Sequence, residues 1–287
     1  MRLFSIVTFC FSTAICIAQV STTPVALTAD SDNSEIARHL YQHEMNQTQT
    51  DALALHFPEM TRERAYTIQR GRLAEHSKAD QHVGWKLGWT RYTGPEDPLD
   101  PIMGHYMSQR VYAEGKPVST RYFTAGSAAA EPEIVFYLKK DLRGPLVTRA
   151  DVIDAIDNVG IAMEFVNWRV TEPRTREHAI ADNGIAAGVV LGEQRFSIDE
   201  LDFSSIEGSV SVNGEETSNG KATSIMNEDP VAGIVWAANE LPKWGMYLKA
   251  GQFIVSGTVC IPLPVSAGDS AEIEFTGMGS LQAEFIQ

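Results

Sequence analysis

Two runs of this 287-residue chain place acids inside otherwise apolar strands, and this restricts what the chain can fold into. Residues Glu131 to Leu138 read EPEIVFYL, a short apolar run of strand-forming residues behind the small Ala128–Ala130 stretch. Glu131 and Glu133 are two apart, so on a strand both side chains leave from one face. Glu164 lies in a second apolar run, between Met163 and Phe165. A carboxylate set into such a strand is costly unless a cation compensates it. Three together repel one another. A hard divalent cation, Mg²⁺ or Mn²⁺, resolves that repulsion with oxygen ligands and keeps positions open for water and substrate. The spacing alone also fits the solvated face of a strand, where acid pairs at i, i+2 are common.

The rest of the chain reads as α+β, with helices early and strands dominating the second half. Ser34–His43 predicts a short surface helix on Ile36 and Leu40, with His39 and His43 on its solvated face. Thr61–Lys78 predicts a second, with Ala65, Ile68, Leu73, Ala74 and Tyr66 as its apolar stripe. Val83–Thr90 (VGWKLGWT) alternates and reads as a strand; residues 91–109, rich in Pro, Gly and Asp, read as loop. A capping box at Thr148–Asp151 predicts a helix through Val152, Ile153, Ile156 and Val159 that stops at Gly160, with a strand over Ile161–Val170. Ala187–Leu191 is a third buried run, and Val210–Val212 before Asn213-Gly214 predicts a hairpin. Asp229-Pro230 opens a helix that buries Val231, Ile234, Val235, Ala238 and Leu241 and ends at Gly245. From Gly251 to Phe285 the pattern is strand and turn.

A net charge of −14, without any Lys/Arg run, argues against a nucleic-acid partner. No GxSxG, P-loop or dinucleotide fingerprint is present. Arg2 followed by the uncharged Leu3–Ala18 stretch reads as a signal peptide over residues 1–18, cleaved near Ala18. This predicts a secreted or periplasmic protein with no membrane span after cleavage; a single-pass anchor is the alternative, for which the run is short. Residues 19–32 read as a flexible linker, 33–80 as an N-terminal helical part and 81–287 as the catalytic domain. Cys10 and Cys16 leave with the signal and Cys260 remains, which excludes an intrachain disulfide and a cysteine-based metal site.

Several segments, in order, resemble the 2-keto-4-pentenoate hydratase branch of the fumarylacetoacetate-hydrolase superfamily, which also holds 4-oxalocrotonate decarboxylases. They are AYTIQ (Ala65–Gln69), VGWKLGWT (Val83–Thr90), AEPEIVFYL (Ala130–Leu138), AMEFVNWR (Ala162–Arg169), IADNGIAAGVVLG (Ile180–Gly192), DPVAGIVWAANEL and LKAGQFIVSGTVCIPLPVSAGD. The resemblance implies a fumarylacetoacetase-like mixed β-sandwich or roll core with the N-terminal helices packed around it. It implies Glu131, Glu133 and Glu164 as ligands of Mg²⁺ or Mn²⁺, with Lys86 as a catalytic residue near the substrate. It also implies Asp182, Asn183, Gly257 and Thr258 as substrate-binding residues, and an acid in the loop after the lysine strand. Asp100 is taken for that acid, with Asp97 competing. The loop pair Asp182-Asn183 also fits a plain turn.

The implied activity is a metal-dependent hydro-lyase that adds water to a 2-hydroxy-2,4-dienoate from aromatic-compound catabolism, giving a 4-hydroxy-2-oxo acid. Decarboxylation of a 2-oxo acid and C–C hydrolysis of an acylpyruvate use the same scaffold; for the latter only His82 and His105 offer a base by location, and a surface position is the simpler reading of each. A non-catalytic periplasmic carboxylate-binding protein is a further alternative. The family also implies a homo-oligomer.

Overall fold

The computed structural model describes residues 23–287 except 97, 125 and 127. The expected signal peptide, and Asp97, lie outside the described residues. Six helices are described: α1 (Asn33–Met45), α2 (Ala52–His56), α3 (Arg62–His76), α4 (Arg149–Ala155), α5 (Arg176–Ala181) and α6 (Pro230–Glu240). The strands are β1 (His82–Gly88), β2 (Ile102–Met107), β3 (Val111–Ala113), β4 (Val118–Ser119), β5 (Ala128–Leu138), β6 (Ile156–Asn167), β7 (Ala186–Leu191), β8 (Glu207–Val212), β9 (Glu216–Lys221), β10 (Phe253–Val255), β11 (Leu263–Pro264), β12 (Ser270–Phe275) and β13 (Gly279–Ile286). No helix among the described residues is long and apolar enough to cross a membrane.

One sheet runs β2-β1-β10-β5-β6-β7-β3, with β11 also on β5; a second runs β4-β13-β12-β8-β9. At its centre β5 and β6 pair antiparallel over their whole length and are buried on both faces, as their continuous apolar runs require. The alternating β12 and β13 cover one face, with Phe285 edge-to-face on Phe165 at 5.0 Å. The first sheet curls on itself. Four strand spacings separate β2 from β6, about 19 Å in a flat sheet, yet the Tyr106 hydroxyl on β2 lies 2.7 Å from Glu164 on β6. The curl encloses an inner apolar cluster of Tyr106, Val135, Ala162, Val189, Phe253 and Val255. This is the mixed roll that the resemblance implies, with helices packed around it.

Three local expectations are corrected. The stretch read as loop contains β2, whose residues IMGHYM are all buried; the surrounding Pro, Gly and Asp masked a short apolar strand. The helix expected to reach Gly160 ends at Ala155, because pairing with β5 claims the chain from Ile156 onward. Residues 23–32 do not hang free: Leu27 is buried, and the Val25 carbonyl accepts from His39 Nδ1 at 2.6 Å, with His39 buried rather than exposed. The helix starts follow their caps. Thr61 accepts from the Arg64 N–H, and Asp229 from the Val231 N–H ahead of Pro230; Gly245 closes the following turn at φ 70°.

The α3 face differs as well. Ala65, Tyr66 and Ile68 are buried as expected, but Gln69 and Arg72 are buried in place of Leu73 and Ala74. Arg72 pairs with Glu44 of α1 at 2.5 Å and with Asp182 at 2.8 Å. Glu44 also meets Arg110 at 2.7 Å and His76 at 3.0 Å, and Asp182 meets Arg169 at 2.6 Å. Burial alone would raise the Glu44 carboxyl, but His76, Arg110 and Arg72 outweigh it and hold it well below the usual carboxylate range. A depressed carboxyl stabilises the fold above its unfolded value near 4.5, and the contribution fades as pH falls through the folded value. Glu44→Gln should therefore cost about 3–5 kcal/mol at pH 7. It should also flatten the fall of the urea midpoint below about pH 4.5, read from denaturation curves across pH.

Candidate metal centre and active site

The β5–β6 register sets Glu131 directly opposite Glu164, and Glu133 opposite Ala162. Both β5 acids leave from the inner face of the roll, where Glu164 also points, and ligand oxygens of all three lie within 4.8 Å of one another. All three are buried. Pro132 between them has no N–H for the ladder. The neighbouring chain departs at this point, with β10 pairing residues 135–137 and β11 pairing 129–130. In that gap the Gly257 N–H turns to Glu133 Oε2 at 2.7 Å. Gly257 has φ 89°, and a Cβ there would fall 2.0 Å from Thr90 Oγ1, so no other residue fits.

Tyr106 donates to Glu164 Oε1 at 2.7 Å. Lys86 Nζ on β1 lies 3.2 Å from Glu164 Oε2, an ion-pair distance without hydrogen-bond alignment, and donates to the Gly184 carbonyl at 3.1 Å. That carbonyl is presented by an unusual turn: Asn183, Gly184 and Ile185 all take left-handed φ, between 58° and 60°. For a β-branched residue such as Ile185 this is strained. The Asn183 side chain holds the turn by accepting from His105 N at 2.9 Å and donating to His105 O at 3.0 Å.

Burial pushes the Glu131 carboxyl up to about 8, with Lys86 opposing and Glu164 adding. Burial, then Glu164 and Glu131, push Glu133 well above the ordinary value. Burial lowers Lys86, but Glu164, Glu131 and Glu133 outweigh it and keep it charged. Burial and the same acids hold Tyr106 neutral. One ammonium cannot neutralise three carboxylates, so the cluster calls for further positive charge. Its donor set fits a divalent cation. One oxygen of Glu133 and one of Glu164 are anchored by Gly257 and Tyr106, while Glu133 Oε1 and Glu164 Oε2 are buried without a hydrogen bond. Oxygen-only donors in this number suit Mg²⁺ or a similar hard ion. Of the three acids Glu131 lines a cavity of about 520 Å³, together with Lys86, Trp89, Arg91, Trp168 and Thr258.

The structure thus brings together Glu131, Glu133, Glu164, Lys86 and Gly257, with Thr258 on the cavity wall. Asn183 clamps the turn rather than facing the cavity. Asp182 is a correction: it is fully buried between Arg72 and Arg169, so its carboxylate has no path to a substrate. Asp100 is another. It pairs with Arg62 and Arg176, each at 2.8 Å, with its side chain 48% exposed, so it takes no part in the acid cluster. His105 is buried and His82 half-buried, so neither is a plain surface residue; their rings meet edge-to-face 5.8 Å apart, and burial lowers both, His82 to about 4. Tyr106 and Arg91 were missed because both lie in the stretch read as loop; the apolar run IMGHYM was the signal for the first.

A profile of the fumarylacetoacetate (FAA) hydrolase C-terminal family matches residues 75–286. The chain is 32% identical over 264 residues to 2-oxo-hept-4-ene-1,7-dioate hydratase of Escherichia coli, covering 88% of this chain and 97% of that one. It is 32% identical over 235 residues to 2-hydroxyhexa-2,4-dienoate hydratase of Comamonas testosteroni, covering 80% and 88%. Among solved structures, 4-oxalocrotonate decarboxylase from Pseudomonas putida G7, complexed with magnesium and adipate, superposes with a TM-score of 0.82 at 27% identity, over 91% of this chain and 99% of that one. The chain belongs to the fumarylacetoacetate hydrolase family.

A carboxyl raised in the folded state stabilises below its unfolded value, and the contribution is lost as pH rises through the folded one. For Glu131 that window runs from about 4.5 to about 8. Metal-stripped protein should accordingly lose thermal stability from pH 5 to 8. Addition of Mg²⁺ should raise Tm more at pH 8 than at pH 5.5, and Glu131→Gln should shrink the difference. Differential scanning fluorimetry with and without EDTA reads all three.

Proposed function

We propose that this chain is a divalent-metal-dependent hydro-lyase that adds water to a 2-hydroxy-2,4-dienoate, such as 2-hydroxypenta-2,4-dienoate, and yields a 4-hydroxy-2-oxo acid. The observation that carries the reading is the convergence of Glu131, Glu133 and Glu164 with Lys86, beside a cavity that Glu131 and Lys86 line. The hydratases named among its relatives support it, and the magnesium in the related decarboxylase supports Mg²⁺ ahead of Mn²⁺. Glu131, Glu133 and Glu164 would hold the cation, which would supply Lewis acidity toward a 2-oxo acid.

The chain's own residues do the rest. Charged Lys86 opposes negative charge that develops at the substrate head. Gly257 and Tyr106 fix one oxygen of Glu133 and of Glu164, so the ligating oxygens are set in advance. Trp89 and Trp168 exclude water from one wall and cover the diene. The dienol is ketonised by a proton at C5; water then places hydroxyl on C4 and a proton on C3. Lys86 Nζ, 3.2 Å from Glu164 Oε2, and the Tyr106 hydroxyl, 2.7 Å from Glu164 Oε1, bear protons beside the acids and take the part that the resemblance gave to Asp100. Decarboxylation at the same acids is the second reading, favoured by the likeness to 4-oxalocrotonate decarboxylase.

Freshly prepared 2-hydroxypenta-2,4-dienoate should lose its conjugated ultraviolet band when enzyme and Mg²⁺ are added. EDTA should stop the loss, and Glu164→Ala should slow it at least about 100-fold. Mass spectrometry of the product separates water addition from loss of CO₂. A dienoate that binds but keeps its band would favour a carboxylate-binding protein and overturn the hydratase reading.

We also propose that the protein acts outside the cytoplasm, on the strength of Arg2 and the uncharged run to Ala18. Sequencing the N-terminus of the mature protein from its native host should find a start just after Ala18; an intact Met1 would refute export.

A further inference from the structure

The geometry points to Arg91 as a specificity-determining residue that receives a second carboxylate, at the end of the substrate remote from its 2-oxo acid head. This inference rests on the proposed function, since it takes the acid cluster as the site of the head.

The cavity wall follows the chain outward from β1. Lys86 and Thr90 are buried at 2% and 1% exposure, Arg91 is half-buried, and Tyr92 is exposed at 41%. Lys86 and Arg91 line the same cavity five residues apart, so their Cα atoms are at most about 17 Å apart. Glu131 and Lys86 form the deep end, the arginine lies toward solvent, and Trp89 and Trp168 set an aromatic edge-to-face pair at 6.3 Å into the wall. A chelating head, an apolar middle and a cationic outer end match an unsaturated diacid better than a monoacid with an apolar tail.

Arg91 stands apart from the other cations of this region. Lys86 is engaged by Glu164 and Gly184, Arg176 by Asp100, Arg174 by Glu172, and Arg169 by Asp182. Among the described residues the Arg91 guanidinium has neither a hydrogen bond nor an ion pair, although the chain carries a net charge of −14 and acids are plentiful. Its backbone is pinned. Arg91 bridges Ile225, Tyr92 N–H donates to Ser224 O at 2.8 Å, and Met226 N–H donates to Thr90 O at 2.8 Å. A half-buried, unpaired guanidinium on a ligand cavity, carried by a pinned backbone, is a carboxylate receptor, because its planar fork binds that group with two parallel hydrogen bonds. Arg174, 3.9 Å over the Trp168 ring, and Arg176, 5.6 Å over Trp89, add positive potential nearby.

Two unreactive acids of equal chain length isolate the contact: 2-oxohexanedioate and 2-oxohexanoate, titrated by calorimetry into the Mg²⁺-loaded protein. The diacid should bind about tenfold tighter or better. In Arg91→Gln the ratio of the two Kd values should fall close to one, and Arg91→Lys should keep part of it because the charge remains without the fork. Equal binding of the two acids by the unaltered protein, a ratio that survives in Arg91→Gln, or no binding of either acid overturns the inference. The hydratase reading falls separately, on a dienoate that keeps its ultraviolet band while the diacid preference still depends on Arg91.

Discussion

The mutual repulsion of three buried carboxylates is the constraint around which this protein is organised. Glu131, Glu133 and Glu164 sit on the inner face of the most deeply buried strand pair, where ionised acids are costly. The compensating groups come from strands that a flat sheet would hold well apart. Lys86 is three strand spacings from β6 and Tyr106 four. Only a curled sheet brings an ammonium and a hydroxyl onto the same carboxylate, so curvature and site are one feature. The roll's interior is divided accordingly, apolar around Val135, Val189 and Val255 and acidic beside it.

A second charged assembly supports the first without joining it. Glu44, Arg72, Asp182, Arg169 and Arg110 form a buried network that ties α1 and α3 to the sheet. Asp182 ends in that network, and the next residue begins the left-handed turn whose Gly184 carbonyl receives Lys86. The turn is thus anchored on one side by two arginines and on the other by the Asn183–His105 pair of hydrogen bonds. Strain at Ile185 persists because both anchors over-determine it. The acid that the sequence offered as a ligand of substrate instead anchors, through Arg72 and Arg169, the start of the turn whose carbonyl receives Lys86.

The site was legible where the chemistry is written into strand periodicity. Acids at i, i+2 in EPEIVFYL share a face in any strand, and an isolated acid in AMEFVN needs a partner wherever it lands. The lysine of VGWKLGW and the glycine of VSGT followed from family resemblance. What periodicity does not carry is long-range register. Nothing local says that Tyr106 meets Glu164 across the curl, or that Gln69 and Arg72 displace Leu73 and Ala74 from the face of α3. Polar residues buried by pairing look like surface residues until their partners are known, which is also why His39 and Asp182 were misplaced. Asp100 was chosen by proximity in sequence, and two arginines, Arg62 and Arg176, draw it elsewhere.

The N-terminal helices are part of the site's support even though the family match begins at residue 75. β2 lies at the end of its sheet and would present unpaired backbone to solvent. Helix α3 covers that edge with side chains: Tyr66 accepts from Met103 N–H at 3.2 Å, and Gln69 donates to Met103 O at 2.7 Å and to Ile180 O at 2.8 Å. A single glutamine amide therefore links the strand that carries Tyr106 to the helix that precedes Asp182. Exposing Met103 would free the edge of β2, and the hydroxyl three residues on would lose its fixed distance to Glu164. Residues that look peripheral to the chemistry thereby set where one of the contacts on Glu164 falls.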